Sequence, residues 1–220
     1  MDFGRAFKYP FDDPEKWKKV IIMGLITLIP VLGQLVLVGW MVDVVKKVIH
    51  QEDTLLPDLD FGGQLSRGFG AFVISLVYAI PILILVGIQT GITTGGSLMM
   101  GNGSDNSNAA LGVGVTLVVI CFSLIYFVYG ILIGFMLPIA YGRYAEFGKV
   151  GEGLKFGVIL GMVRKALGPV FIALLGSWVA SLVGSLGSVA CGIGVLVTIP
   201  YAMAVTAHFY GQAYNHAKMV

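Results

Sequence analysis

Charged residues are scarce in this chain, and they are missing from long tracts altogether. From Ala166 to Ala207 the sequence has no Asp, Glu, Lys or Arg, and from Gly68 to Gly142 its only charge is Asp105. Charged residues make up 12% of the 220 positions, about half the share usual in soluble domains. A soluble globule of this size has too little interior to hide such tracts, so the composition predicts an integral membrane protein. The net charge of +2 and the lack of any long basic run exclude nucleic acid as a partner. There are only two cysteines, Cys121 and Cys191, and both lie inside apolar runs. That placement suits small buried hydrophobes better than nucleophiles or metal ligands. No short apolar core with a small-residue cleavage site opens the chain, so no removable signal peptide is expected.

What is present is a series of apolar runs separated by basic clusters. Residues 1–19 mix charges with Phe3, Phe7, Tyr9, Phe11 and Trp17, a composition suited to the headgroup zone as a cytoplasmic interfacial lead-in. Pro10 and Pro14 predict that this stretch is broken into short pieces. Residues 20–48 follow, with Pro30, Gly33 and Gln34 in the middle of the apolar run. They predict either one crossing or a re-entrant or kinked helical hairpin that returns to its own side. Basic residues decide between these. All 14 fall before Val20, between Lys46 and Arg67, between Arg143 and Lys165, or at Lys218, and a hairpin keeps every cluster on one face.

Residues 69–140 read as a first transmembrane hairpin, with crossings at Phe69–Ile88 and Ala109–Ala140 and a Gly, Ser and Asn loop between them. Asn102-Gly103-Ser104 in that loop matches a glycosylation sequon, a short and common pattern. Residues 141–166 carry apolar side chains at helical spacing and read as an amphipathic interfacial segment. Residues 167–214 read as a second transmembrane hairpin, with crossings at Leu167–Leu186 and Cys191–Tyr214. The expected architecture is a single all-α, polytopic membrane domain. It has four full transmembrane helices, the N-terminal hairpin and interfacial amphipathic helices, and both termini lie on the cytoplasmic side of the cell membrane.

Two sets of residues stand out within this plan. Gly130 and Gly134 share a helical face, as do Ser177, Ser181 and Ser185, with Gly184 and Ser188 on a neighbouring line. Small residues at this spacing let helices approach closely, in this chain or in another copy. Trp17, Lys18, Lys19, Lys155, Arg164 and Lys165 are the candidates for contact with lipid headgroups. Catalytic candidates are poorer. Asp58 and Asp60 stand two apart in the acidic 43–67 segment, too few for a calcium loop. His208 lies near the inner interface, where a hydrogen-bonded structural role is expected. No catalytic, metal or cofactor site is predicted, and no cofactor.

The segments FKYPFDDPEKWKKVIIMGLITLIPVLG, Gly39-Trp40 and LLPDLDFGGQLSRGF, followed later by YAEFGKVGEGLKFGVILGMVRKALGPV, CGIGVLVTIP and AHFYGQAY, form an ordered pattern. In that order and spacing the chain resembles the bacterial and archaeal membrane family called Domain of Unknown Function 4013. The resemblance implies a multi-pass α-helical prokaryotic membrane protein with no assigned activity, and it carries no catalytic residues over. The function expected from all of this is a non-enzymatic membrane scaffold or accessory subunit. Its partners would be lipid and either further copies of itself or a larger membrane complex. The alternatives are an uncoupled transporter or channel component and a lipid-handling protein. A lipid enzyme would need its scattered Asp43, His50, Asp58, Asp60, Glu146, His208 and His216 to converge.

Overall fold

Asp2 opens the first helix by accepting a hydrogen bond from the backbone N–H of Arg5 at 2.9 Å, an N-cap that satisfies one otherwise orphaned donor. The computed structural model describes residues 2–52, 56–100, 105–189 and 194–219, and all the regular structure in them is helical. The helices are α1 (Phe3–Asp12), α2 (Lys16–Ile26), α3 (Leu32–Ile49), α4 (Phe61–Met100), α5 (Asp105–Phe147), α6 (Val150–Gly153), α7 (Phe156–Lys165), α8 (Leu167–Leu186) and α9 (Val195–Met219). A short 3-10 turn, Gly187–Val189, extends α8. The chain divides into two compact units, Met1–Ser75 with Gly134–Val220, and Leu76–Ile133.

In the first unit α9 is the central element, packed against α8, α3, α2 and α1. Phe3 and Phe7 of α1 meet Phe209, and Tyr9 lies against His208 with ring centroids 5.0 Å apart. Glycines set the close approaches. A Cβ at Gly176 would fall 2.4 Å from the Phe209 ring, and one at Gly24 would fall 1.8 Å from the Leu196 carbonyl oxygen. The composition of α9 changes the expected count of crossings. Among the described residues three helices, α4, the Asn108–Phe147 part of α5, and α8, are long and apolar enough to cross a membrane, where four were expected. The fourth, Cys191–Tyr214, begins outside the described residues and continues as α9. Its Tyr201, His208, Tyr210 and Gln212 dilute its apolar character, and its apolar side chains are used against protein.

The run at 20–48 is not one helix. α2 ends at Ile26, α3 starts at Leu32, and between them Val31 takes a left-handed φ of 64°. Gly33 then passes so close that a Cβ would fall 1.9 Å from the Ile26 carbonyl oxygen. The break falls where Pro30 and Gly33 place it. Pro10, in contrast, does not break α1, which runs two residues past it to Asp12, while Pro14 lies in the α1–α2 joint.

The second unit contains the Leu76–Met100 part of α4 and the Asp105–Ile133 part of α5. Each full helix has at least 40 residues, roughly 60 Å at 1.5 Å per residue. The loop expected from Gln89 onward is helical as far as Met100. Thr93 donates to the Gln89 carbonyl at 3.0 Å and Ser97 to the Thr93 carbonyl at 2.8 Å, so these hydroxyls find partners along the helix itself. The sequon at 102–104 lies outside the described residues.

Candidate functional site

The α3–α4 crossing in the first unit is built on glycine. A Cβ at Gly39 would fall 1.8 Å from the Gln64 carbonyl oxygen, and one at Gly68 would fall 1.8 Å from that of Leu35, so the two backbones touch. That contact brings Arg67 to Asp43, with Nη2 donating to Oδ2 at 2.9 Å, and to Asp60 at 3.1 Å. Tyr144 secures the same turn by donating to the Arg67 carbonyl at 2.9 Å. Beside this pair opens a polar cleft of about 490 Å³ that also receives Lys46, Lys47, His50 and Glu52. Lys46 and Lys47 occupy the last turn of α3, where cations complement the negative end of the helix dipole.

The 56–60 segment is fixed from below. Trp40, fully buried, donates through Nε1 to the Pro57 carbonyl at 3.0 Å, and the buried Gln64 amide donates to the Asp58 carbonyl at 2.9 Å. Asp13, 1% exposed, accepts from the Leu56 N–H at 2.9 Å and from Lys19 Nζ at 2.9 Å, and Lys19 also reaches Asp58 at 3.0 Å. Burial pushes the Asp13 carboxyl up, but Lys19 and the backbone N–H groups of Glu15 and Leu56 outweigh it and hold it below its ordinary range. Burial likewise pulls the Lys19 ammonium down, and its two carboxylates more than reverse that. The 56–60 segment is therefore tied to α2, α3 and α4.

Among the described residues the cleft brings no general base into hydrogen-bond contact with a nucleophile. His50 Nδ1 engages the Lys46 carbonyl at 2.8 Å rather than a carboxylate. His208 is buried, and its Nδ1 accepts from the Gln212 amide at 2.9 Å, the hydrogen-bonded role expected for it. Among the described residues no three His, Cys, Asp or Glu side chains converge as a metal site would require. Arg143 pairs with Glu152, and Lys218 with Glu146, which Tyr214 also contacts.

A second cavity, of about 310 Å³, is almost wholly apolar. Phe11, Trp17, Val20, Val183, Val197 and Tyr201 line it, so α1, α2, α8 and α9 all contribute. Phe11 lies edge-on to Trp17 at 6.4 Å and tilted against Tyr201 at 5.5 Å.

The small residues singled out in the sequence divide between inward and outward positions. Ser177 and Gly184 are buried, and a Cβ at Gly184 would meet Ala202 of α9 at 3.1 Å. Gly134 approaches Leu174 of α8, while nothing lies within 4 Å of a Cβ at Gly130. Ser181, Ser185 and Ser188 are exposed and bond back to their own helix, to Ser177, Leu182 and Ser185 respectively. Of the interfacial set, Trp17, Lys18, Lys155, Arg164 and Lys165 are exposed. Lys19 is held in the buried ion-pair network instead. Lys18 pairs with Glu15 at 3.3 Å and Lys155 with Glu152. α7 buries Ile159 and Val163 and exposes Phe156 and Val158.

Several closely packed glycines carry no signal in the sequence. Gly24, Gly39, Gly68, Gly142 and Gly211 each abut an element other than their own, so no repeat within one helix announces them. The sequence reading also missed Gly87, Gly91 and Gly95, which do repeat every four residues and have nothing within 4 Å of a Cβ. They fell in the stretch read as the end of a crossing and the start of a loop.

A family model described as protein of unknown function (DUF4013) matches residues 22–193, which is well over half of the chain. The chain belongs to that family. No curated protein and no solved structure matches it.

Proposed function

We propose that this member of the family is a non-catalytic integral membrane scaffold or accessory subunit that associates through its second unit with a further copy of itself. One observation carries the reading: the second unit presents its large apolar side chains outward. Leu83, Ile84, Leu117, Leu124, Phe127 and Val128 are each more than half exposed, an arrangement stable only if lipid or another helix covers them. The open glycine line at 87, 91 and 95, together with Gly130, offers the close-approach surfaces that membrane helices use, since lipid tails give no hydrophobic drive toward pairing.

In this reading the basic clusters face the cytoplasm with both termini, the α2–α3 hairpin re-enters from that side, and the exposed Arg164 and Lys165 lie at the headgroups. Coupled transport fits less well, because the second unit contains no ionisable side chain but Asp105, Cys121 and three tyrosines to bind a proton or cation. The test is self-association of the full chain in mild detergent and in nanodiscs, followed by crosslinking. Dimers or larger assemblies that weaken in Gly91→Leu support the proposal. A monomer that copurifies with nothing and is indifferent to Gly91→Leu overturns it.

A further inference from the structure

The apolar cavity walled by α1, α2, α8 and α9 points to a ligand. We propose that it seats one acyl chain of an anionic membrane phospholipid, with the Lys16 ammonium beside the phosphate. The proposal rests on the membrane reading above and goes beyond it, since a scaffold needs no lipid site.

The cavity volume of about 310 Å³ lies at the lower end of the range for small-molecule sites. It is not closed off, for Phe11 and Trp17 on its walls remain 48% and 55% exposed. Val183 contributes to it from α8, one of the helices apolar enough to cross a membrane. The neighbouring Leu182 and Leu186 of that helix, with Trp178, are all at least 65% exposed, so α8 offers an apolar surface beside the cavity. The cavity walls are almost wholly apolar, and the Thr198 and Tyr201 hydroxyls on them already donate to the Gly184 and Phe7 carbonyls.

Charge selects the headgroup. Lys16 stands in the cavity wall, with Nζ donating to the Phe11 carbonyl at 2.9 Å and lying 5.7 Å from the Phe11 ring centroid. An ammonium has three donors, and the carbonyl uses one. The other two lysines of the first turns of α2 are paired, Lys18 with Glu15 and Lys19 with Asp13 and Asp58. Lys16 has no carboxylate partner among the described residues, so its charge is available for a phosphate. Trp17 beside it is the residue type that settles at the headgroup boundary.

The experiment places the full-length chain, carrying Trp178→Phe, in phosphatidylcholine vesicles and follows quenching of tryptophan emission by lipid with brominated acyl chains. Trp17 then reports from the cavity wall, while Trp40 is buried in protein. Brominated phosphatidylglycerol at low mole fraction should quench several-fold more than brominated phosphatidylcholine at the same fraction. Val183→Phe, which fills the cavity, and Lys16→Gln, which removes the charge at a partly exposed position, should each abolish that preference. Circular dichroism and melting confirm folding, and Lys16→Gln decides the matter if Val183→Phe does not fold. Equal quenching by the two lipids, or a preference that survives Lys16→Gln, overturns the site and leaves ordinary boundary lipid. No quenching by either, with protein that fails to float with the vesicles, overturns the membrane reading itself.

Discussion

The two units of this chain solve the same problem in opposite ways. Both are rich in apolar side chains, yet the first buries many of them around α9 and leaves those on the outer face of α8 exposed, while the second leaves most of its own on the surface. Inside the first unit glycines press against backbone, and Asp13, Lys19 and Asp58 interlock. Inside the second, the polar contacts between α4 and α5 include Tyr126 donating to the Gln89 side chain at 2.6 Å and Tyr129 to the Tyr78 carbonyl at 2.9 Å. The comparison separates a region whose conformation is specified by its own contacts from one that needs an apolar surrounding. Similar hydrophobic content thus hides two different dependencies, one on packing and the other on solvent.

The sharpest way to break the comparison is to put the same kind of bulk into each unit. Gly39→Ala should destabilise by at least about 3 kcal/mol, the upper end of overpacking costs, because the added carbon meets the Gln64 backbone rather than a movable side chain. Gly91→Leu, with open space around it, should leave the melting temperature unchanged while reducing self-association. Equal effects of the two on melting would erase the distinction.

Next in size is the buried ion pair. Asp13→Ala leaves the largely buried Lys19 with the exposed Asp58 and the Leu56 carbonyl and should cost about 3 kcal/mol in chemical denaturation. Acid should reproduce part of this loss. The folded Asp13 carboxyl lies below its ordinary value of 3.8, so its stabilisation is complete above that pH. It is lost as the pH falls through the lowered folded value. An acid titration of stability should therefore be flatter in Asp13→Asn than in the native chain. Smallest of all is Lys18→Ala. Its partner Glu15 is exposed, as Lys18 is, and melting should shift by less than the equivalent of about 0.5 kcal/mol.

The broad plan of the fold was legible because hydrophobic runs and basic clusters are additive, local properties of the sequence. The α2–α3 break could be read from Pro30 and Gly33, and the helical nature of 156–165 from its spacing. Properties that depend on a distant partner could not. Whether α9 faces lipid or protein depends on α1, α2, α3 and α8 surrounding it, and within the run only the polar Tyr201, His208, Tyr210 and Gln212 hint at that. Polar residues misled in the other direction. Thr93 and Ser97 suggested a loop, yet each satisfies its hydroxyl on the preceding turn and continues the helix. The pairing of Asp13 with Lys19 and the Leu56 N–H spans up to 43 residues, and no spacing rule reaches that far.

Val31 has a consequence of its own. A β-branched residue at φ 64° is a steric outlier, a position where glycine would relax the chain by roughly 1–3 kcal/mol. Its side chain is nonetheless 71% exposed, flanked by the exposed Leu28 and Leu32. The corner between the two helices thus carries an oily point on a sprung backbone. Removing the methyl groups would ease the spring and blunt the point together, so rigidity and grip on an apolar medium are set against each other at one residue.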